Sequence, residues 1–280
     1  MTKDDFKIEK VVGKGGFGTV YLVVHKYTEQ IYAMKVVTKE LLLMTDQDDS
    51  IKSKSFRFIT NLTLFCKVER EILSTIDHPF IMRLEYAFHD EYQLYLIMEF
   101  VNGGELFTHL QQKRTKDRGF DEPLAQFYAA QMVLALEYLH KQGVVYRDFK
   151  PENILIDSAG YIRLTDFGLS KVGMNEVGRT KTFCGTLEYM APEMIRNADY
   201  DQSVDWFSFG LVLFEMIRGR PPFKFRKDQT VVEKMNIILK EEPQIPENCS
   251  PEASDLLSKL LKHEPTERIG CWEGGATDVK

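Results

Sequence analysis

The hydrophobic pattern of this chain changes period once, near Asn102-Gly103-Gly104, and that change limits the fold more than any other feature. Before it, Phe6 to Val37 reads as short β-favouring runs (VVG, VYLVV, IYAMKVV) separated by glycine-rich or polar turns. A helical stretch, VEREILSTI, stops before His78-Pro79, and two more strand-like runs follow at 81–88 and 94–101. After it, helical spacing dominates. Residues 123–143 begin with Pro and end at Gly, a second helix reads from about Val204 to Arg218, and a third lies near 252–262. The pattern predicts an α+β chain with a small β-rich unit over 1–101 and a larger helical unit over 102–280. A length of 280 residues fits two packed units, at roughly 150 residues per domain.

Composition removes several function classes. Lys plus Arg is 36 and Asp plus Glu is 42, a net charge of −6, which disfavours nucleic acid as a partner and suits basic ones. The longest apolar runs, such as 209–214, fall far short of the ~20 residues of a membrane span, and the start has no secretory core. Cys66, Cys184, Cys249 and Cys271 show no paired metal spacing and are too sparse for a disulfide framework. A reduced, cytoplasmic or nuclear setting is expected. Asn61 and Asn248 sit in glycosylation-type triplets that read as chance matches without a secretory route.

Chemistry concentrates in separated motifs. In 13-GKGGFGTV-20, glycines let the backbone approach a polyphosphate and cradle its oxygens, although most isolated patterns of this kind are plain tight turns. It lacks the ending of a P-loop, and no helix pattern follows. Lys35, on the strand-like IYAMKVV, can neutralise phosphates if a carboxylate fixes it, and Glu69 is the candidate; without one it reads as a solvated lysine. In 146-YRDFKPEN-153, Asp148, Lys150 and Asn153 fall within a segment that Pro151 keeps out of a regular helix. These supply a proton acceptor, a cation for phosphoryl oxygens and an amide oxygen for Mg²⁺. Asp166 of 166-DFG-168 adds a hard oxygen ligand, and 191-APE-193 closes a hydroxyl-rich segment.

In this order and spacing the motifs resemble the eukaryotic protein kinase catalytic domain over about residues 6 to 280. The YRD triplet, TFCGTLEYMAPE, DWFSFG and RIGCWEGGATDVK are similar to the protein kinase A, G and C (AGC) group, nearest its ribosomal S-six kinase and Akt-like branches. The resemblance implies a two-lobed fold and ATP-dependent phosphorylation of Ser or Thr with Mg²⁺. It implies that Gly13, Lys14, Gly15, Gly16, Phe17 and Gly18 cover the ATP phosphates, that Val20 and Ala33 line the adenine pocket, and that Lys35 pairs with Glu69. Met98 becomes the gatekeeper, and the backbone of Glu99 and Val101, with Glu105, completes the nucleotide site. Asp148 becomes the catalytic base beside Lys150, and Asn153 and Asp166 the metal ligands. Thr182 becomes the activating phosphorylation site, met by Arg147 and modified by an upstream enzyme of the phosphoinositide-dependent kinase type. Glu193 and Arg268 become a buried brace, and Asp205 the anchor of the catalytic loop. Carboxylates at Glu105, Glu152 and Glu215 imply basic substrates with Arg third upstream of the acceptor; the competing reading is solvated surface, evenly balanced for Glu215. A monomer is expected.

Departures from the family pattern sharpen the expectations. Residues 55–67 (SFRFITNLTLFCK) have no counterpart, and three readings compete: a regulatory plug, an unstructured excursion or an error in the predicted coding sequence, the last two together being favoured. Relatives continue beyond the position of Lys280 into a tail that wraps the small lobe. Low activity, or a kinase-like scaffold, is therefore the alternative expectation. Leu187, Phe149 and Phe207 replace the usual Pro, Leu and Trp, and the loop 113–118 is slightly long. Cys184 reads as a packed, inert thiol more readily than as a redox-sensitive one.

Overall fold

The structure is a computed structural model and describes residues 1–15, 18–38, 69–114, 118–174, 178–247 and 249–280. The insert 55–67, with Cys66, and the turn residues Gly16 and Phe17 lie outside the described residues. The chain divides into two compact units, Met1–Asn102 with Asp166–Gly168, and Gly103–Thr165 with Leu169–Lys280. The division expected after Val101 thus falls after Asn102. Asp166–Gly168 group with the first unit, where Lys35 donates to the Asp166 carboxylate.

The first unit is a five-stranded antiparallel sheet of β1 (Phe6–Gly15), β2 (Gly18–His25), β3 (Ile31–Thr38), β4 (Leu84–His89) and β5 (Gln93–Glu99), in the order β1-β2-β3-β5-β4. The run expected as a strand from Ile81 pairs only from Leu84, and the run expected to reach Val101 stops at Glu99. Side chains alternate across a strand, so Tyr32, Met34 and Val36 share a face with Phe6, Val23, Tyr95 and Ile97 in one apolar cluster. That alternation places Ala33, Lys35 and Val37 on the opposite face. The described part of helix α1, residues 69–75, opens with Glu69 and buries Ile72 and Leu73. Pairing continues almost to the glycine tip, where Gly13 faces Val20, Lys14 faces Thr19 and Gly15 faces Gly18. Gly18 has φ +136, and a Cβ there would stand 2.3 Å from the Val36 carbonyl oxygen, so no larger residue fits.

The second unit is helical. It contains α2 (Leu106–Lys113), α3 (Glu122–Lys141), α4 (Pro192–Ile195), α5 (Ser203–Arg218), α6 (Val231–Lys240), α7 (Pro251–Leu260) and α8 (Ala276–Val279). A short ribbon of β6 (Ile154–Ile156) and β7 (Ile162–Leu164) follows the catalytic-loop motif. Helix α5 is buried along its whole length from Ser203 to Ile217 and ends on Gly219 in the left-handed conformation. A helix apolar all round belongs in a core, and Phe149, Trp206 and Phe209 pack edge to face around it. Among the described residues no helix is long and apolar enough to cross a membrane.

Candidate active site

Lys35 sits on the face of β3 that the apolar alternation leaves for chemistry. Its Nζ donates to Glu69 Oε1 and Oε2 at 2.8 and 2.9 Å and to Asp166 Oδ1 at 3.1 Å. Burial opposes the ammonium, but the Glu69 and Asp166 carboxylates outweigh it and hold Lys35 above the ordinary lysine range. Burial pushes the Glu69 carboxyl up against the pull of Lys35. With both its oxygens bonded to one ammonium, the pair is ionised. The solvated-lysine reading therefore fails: Lys35 is 8 % exposed and doubly paired. Asp166 itself holds φ +58, an uncommon conformation for a non-glycine residue, which marks a constrained site.

Around Lys35 the sheet lays out the other residues expected to meet a nucleotide. Val20 pairs with Lys35 across β2 and β3, and Ala33 pairs with the buried Met98 across β3 and β5. The Glu99 N–H donates to the Arg83 carbonyl at 3.2 Å, and Val101, half-buried, follows the end of β5. Lys14 is exposed.

In the second unit, Asp205 on α5 fixes the loop that carries Asp148. Its Oδ2 accepts the Tyr146 N–H at 2.9 Å and lies 2.8 Å from His140 Nε2, while Oδ1 accepts the Arg147 N–H at 2.8 Å. Arg147, at φ +70, turns the chain so that Asp148 follows in a fixed direction. Lys150 Nζ donates to Asp148 Oδ2 and to Thr186 Oγ1, both at 2.8 Å. Asn153 Nδ2 donates to the Asp148 carbonyl and to Oδ2, both at 2.9 Å. Thr186 donates to Asp148 Oδ1 through its hydroxyl at 2.9 Å and its N–H at 3.1 Å. Thr186 was not singled out from the sequence. The only signal was a hydroxyl in the segment between DFG and APE, shared with several neighbours.

The carboxylates Glu105, Glu152 and Glu215 are electrostatically coupled. Burial and Glu152 raise the Glu105 carboxyl, and burial raises Glu215 despite the Tyr189 hydroxyl, which donates to it at 2.6 Å. Glu152 Oε2 is buried and meets no donor among the described residues. Glu215 is 2 % exposed, which overturns its reading as solvated surface; it projects from the buried helix α5. Carboxylates gathered this way, with Glu215 buried and Glu105 exposed, attract a cation with several donors.

Thr182 connects to the loop through neighbours the sequence reading missed. Tyr200 donates its hydroxyl to the Thr182 carbonyl at 2.6 Å and accepts from Arg147 Nη1 at 3.2 Å. Arg147 spends its other donors on the Leu169 and Ser170 carbonyls. Lys171 donates to Thr180 Oγ1 at 2.9 Å, and Thr180 Oγ1 lies 3.3 Å from Thr182 Oγ1. Burial pushes the Cys184 thiol up, in keeping with a packed thiol. The Glu193–Arg268 brace is present, with Nη1 2.7 Å from Oε1 and Nη2 3.1 Å from Oε2.

The donor set suits Mg²⁺. Asn153 spends its amide N–H groups on Asp148, which leaves its oxygen as the atom to offer a metal, and Asp166 offers a carboxylate one-third exposed. Magnesium takes few protein oxygens and fills its shell with water and phosphate, so each of these oxygens, in its own unit, is of the kind it uses. No group of three or more His, Cys, Asp or Glu able to hold a metal occurs among the described residues.

Comparison with known proteins agrees with this geometry. The protein kinase domain family matches residues 6–278. The chain is 44 % identical over 277 residues to serine/threonine-protein kinase AtPK1/AtPK6 of Arabidopsis thaliana, covering 99 % of this chain and 54 % of that protein. It is 42 % identical over 280 residues to the human RAC-beta serine/threonine-protein kinase, covering 100 % of this chain and 53 % of the relative. It is 43 % identical over 278 residues to human ribosomal protein S6 kinase alpha-3, covering 98 % and 34 %. The chain spans about half the length, or less, of these curated relatives. With the Lys35–Glu69 pair, the Asp148 loop and this match over nearly its whole length, the chain belongs to the protein kinase domain family, among serine/threonine kinases of AGC type.

Proposed function

We propose that this chain transfers the γ-phosphoryl group of ATP to Ser or Thr hydroxyls of basic protein substrates that carry Arg upstream. The observation that carries the reading is the Asp148–Lys150–Thr186–Asn153 network, anchored by Asp205. An incoming hydroxyl displaces Thr186 from Asp148 Oδ1 and gives that oxygen its proton as its own oxygen bonds to phosphorus and the bond to ADP breaks. Lys150, two residues from the base, stabilises charge on the transferring oxygens. In its own unit Lys35, kept cationic by Glu69, binds the other phosphates and leaves Asp166 for the metal. Asp166 would offer bound Mg²⁺ a carboxylate and Asn153 an amide oxygen, and the ion would neutralise phosphate charge.

Glu105, Glu152 and Glu215 support a guanidinium subsite, because Glu152 Oε2 meets no donor among the described residues and burial, with the Glu152 charge, raises both neighbours. Phosphorylation of Thr182 by an upstream kinase is the proposed switch. Arg147, one hydroxyl away through Tyr200, and Lys171, through Thr180, are the cations that a phosphate there would order. The test is transfer of labelled γ-phosphate from Mg-ATP to an Arg-x-x-Ser peptide by protein phosphorylated on Thr182. Asp148→Asn should abolish transfer, and Arg→Ala in the peptide should raise KM. Transfer that survives Asp148→Asn, or a KM indifferent to Arg, would refute the respective part.

A further inference from the structure

Cations crowd one edge of the second unit in a chain that is acidic overall. Arg218, Arg220, Lys224, Arg226 and Lys227 fall within 218-RGRPPFKFRK-227, and Asp228, beside them, pairs with Arg226 at 3.3 Å through two largely exposed side chains. Arg118, the last residue of a second basic run in the sequence, comes to the same edge. Gly119 donates its N–H to the Ile217 carbonyl at 3.0 Å, Phe120 donates to the Met216 carbonyl at 2.7 Å, and a Cβ on Gly219 would stand 2.6 Å from the Arg118 carbonyl oxygen. The backbones at 118–120 and 216–219, a hundred residues apart in sequence, thus meet at this edge. Arg114, Arg118, Lys224, Arg226 and Lys227 are exposed.

This surface adjoins the carboxylate subsite. Glu215 stands on α5 one turn before Gly219, where the Arg118 carbonyl approaches, and it feels both Glu152 and Arg114. A substrate whose Arg, upstream of its acceptor, lies on Glu152 and Glu215 is carried, further upstream, toward Arg114 and the 218–227 loop. Arg220 and Lys224 line a groove together with Glu241 and Glu242. We propose that the edge formed by Arg114, Arg118, Lys224, Arg226 and Lys227 docks an acidic segment lying upstream of the Arg in the protein substrate. This deepens the kinase reading above and rests on it for the direction of the substrate. The recognised pattern is a run of Asp or Glu, then Arg, then the acceptor Ser or Thr. Phe225, half-buried under Lys234 with Nζ 5.3 Å from the ring centroid, holds the loop to α6 and keeps its cations outward. Each exposed ion pair is weak, but several acting together discriminate partners and depend on salt.

The experiment uses the whole chain and two peptides with the same Arg-x-x-Ser core, one preceded by a block of six glutamates and one by a Gly-Ser block. At low salt the acidic peptide should show about a tenfold lower KM with kcat unchanged, and the difference should shrink at 0.5 M salt. Lys224→Glu with Lys227→Glu, neither in the catalytic machinery, should erase the preference while leaving turnover of the Gly-Ser peptide as it was. Fluorescence anisotropy with Ala replacing the acceptor reads the same preference without turnover. Binding preference without phosphoryl transfer would therefore sink the kinase reading alone, whereas transfer with equal KM and equal anisotropy sinks this inference alone. Retention of the preference in the double variant also overturns it. So would a membrane assignment: equal peptide binding, with sedimentation on phosphatidylcholine vesicles containing phosphatidylserine that the double variant loses.

Discussion

Glu193→Gln tests the brace that ties the APE motif to the end of the chain. Arg268 is fully buried, and its guanidinium bonds Glu193 at 2.7 and 3.1 Å, the Ser203 carbonyl at 2.8 Å and the Lys262 carbonyl at 3.0 and 3.1 Å. Its Cζ also lies 5.0 Å over the ring of Phe207. The amide keeps the shape of the carboxylate but leaves a buried cation without its counter-charge, which costs about 3–5 kcal/mol. That is a large fraction of the ~5–15 kcal/mol that holds a domain folded. Arg268→Met should cost at least as much, because the Ser203 and Lys262 carbonyls lose their donor as well. The double variant should be no worse than Arg268→Met alone, since the partner Glu193 needed has already gone. Urea unfolding of the four proteins, followed by tryptophan fluorescence from the buried Trp206, measures each midpoint and slope. A Glu193→Gln loss below about 1 kcal/mol would refute the argument, since exposed pairs reach no more. Additive losses in the double variant would refute it independently.

The remaining predictions address other links. Gly270→Ala should destabilise the second unit, because Gly270 has φ +90 and a Cβ would stand 2.8 Å from three atoms of the Trp206 ring; a thermal midpoint equal to wild type would contradict this. Glu69→Gln should lower kcat with little effect on the folded second unit, read by initial rates and by unchanged fluorescence of Trp206, since it frees Lys35 to remain on Asp166. The pH profile of Arg selectivity follows from the raised carboxyls of Glu105 and Glu215. A folded-state pKa above the unfolded value means that the charged form is disfavoured: ionisation costs stability above that pKa, and the cost is relieved as pH falls through it. Arg binding needs the charged form. The Arg-over-Ala preference should therefore fade on acidification before ordinary exposed glutamates titrate, near 4.3, and a flat ratio down to that pH would count against the subsite. Cys184, with its thiol raised by burial, should react with iodoacetamide more slowly than a free cysteine at pH 8, as counted by mass spectrometry.

What the sequence disclosed and what it withheld divide along physical lines. Residues on regular elements were legible, because period and punctuation are local: α3, expected over 123–143, spans Glu122–Lys141, and α5, expected from about Val204, spans Ser203–Arg218. Strand ends were less so. Ile81 and Met82 are buried as firmly as strand residues, yet they lie outside the β4–β5 register, and hydrophobicity alone does not tell burial from ladder pairing. Asp148, Lys150, Asn153, Asp166 and Lys35 stand out in the sequence because their residue types are chemically loaded. Thr186, Tyr189, Tyr200 and His140 were missed because a hydroxyl or imidazole gains its role only from what the fold brings opposite it. Glu215 shows the converse error. A charged residue on an amphipathic helix belongs on the wet face, but α5 has no wet face, and an acid there implies a partner.

That point extends to the whole charge arrangement. Burying an ion is costly unless something compensates, so each buried charge implies a partner within reach. Arg268 has Glu193, Asp205 has two backbone N–H groups and His140, and Lys35 has two carboxylates. These sets are closed or, for Lys35, over-supplied with negative charge, so an added anion binds there only as Asp166 turns to a cation. Glu152 differs in kind. Its Oε2 is buried beside two other acids and has no donor among the described residues, so a cation brought by the proposed substrate would compensate it. A guanidinium, flat and rich in N–H groups, meets several carboxylates at once where an ammonium offers a point charge. Replacing the substrate Arg by Lys should accordingly weaken binding, although the charge is unchanged.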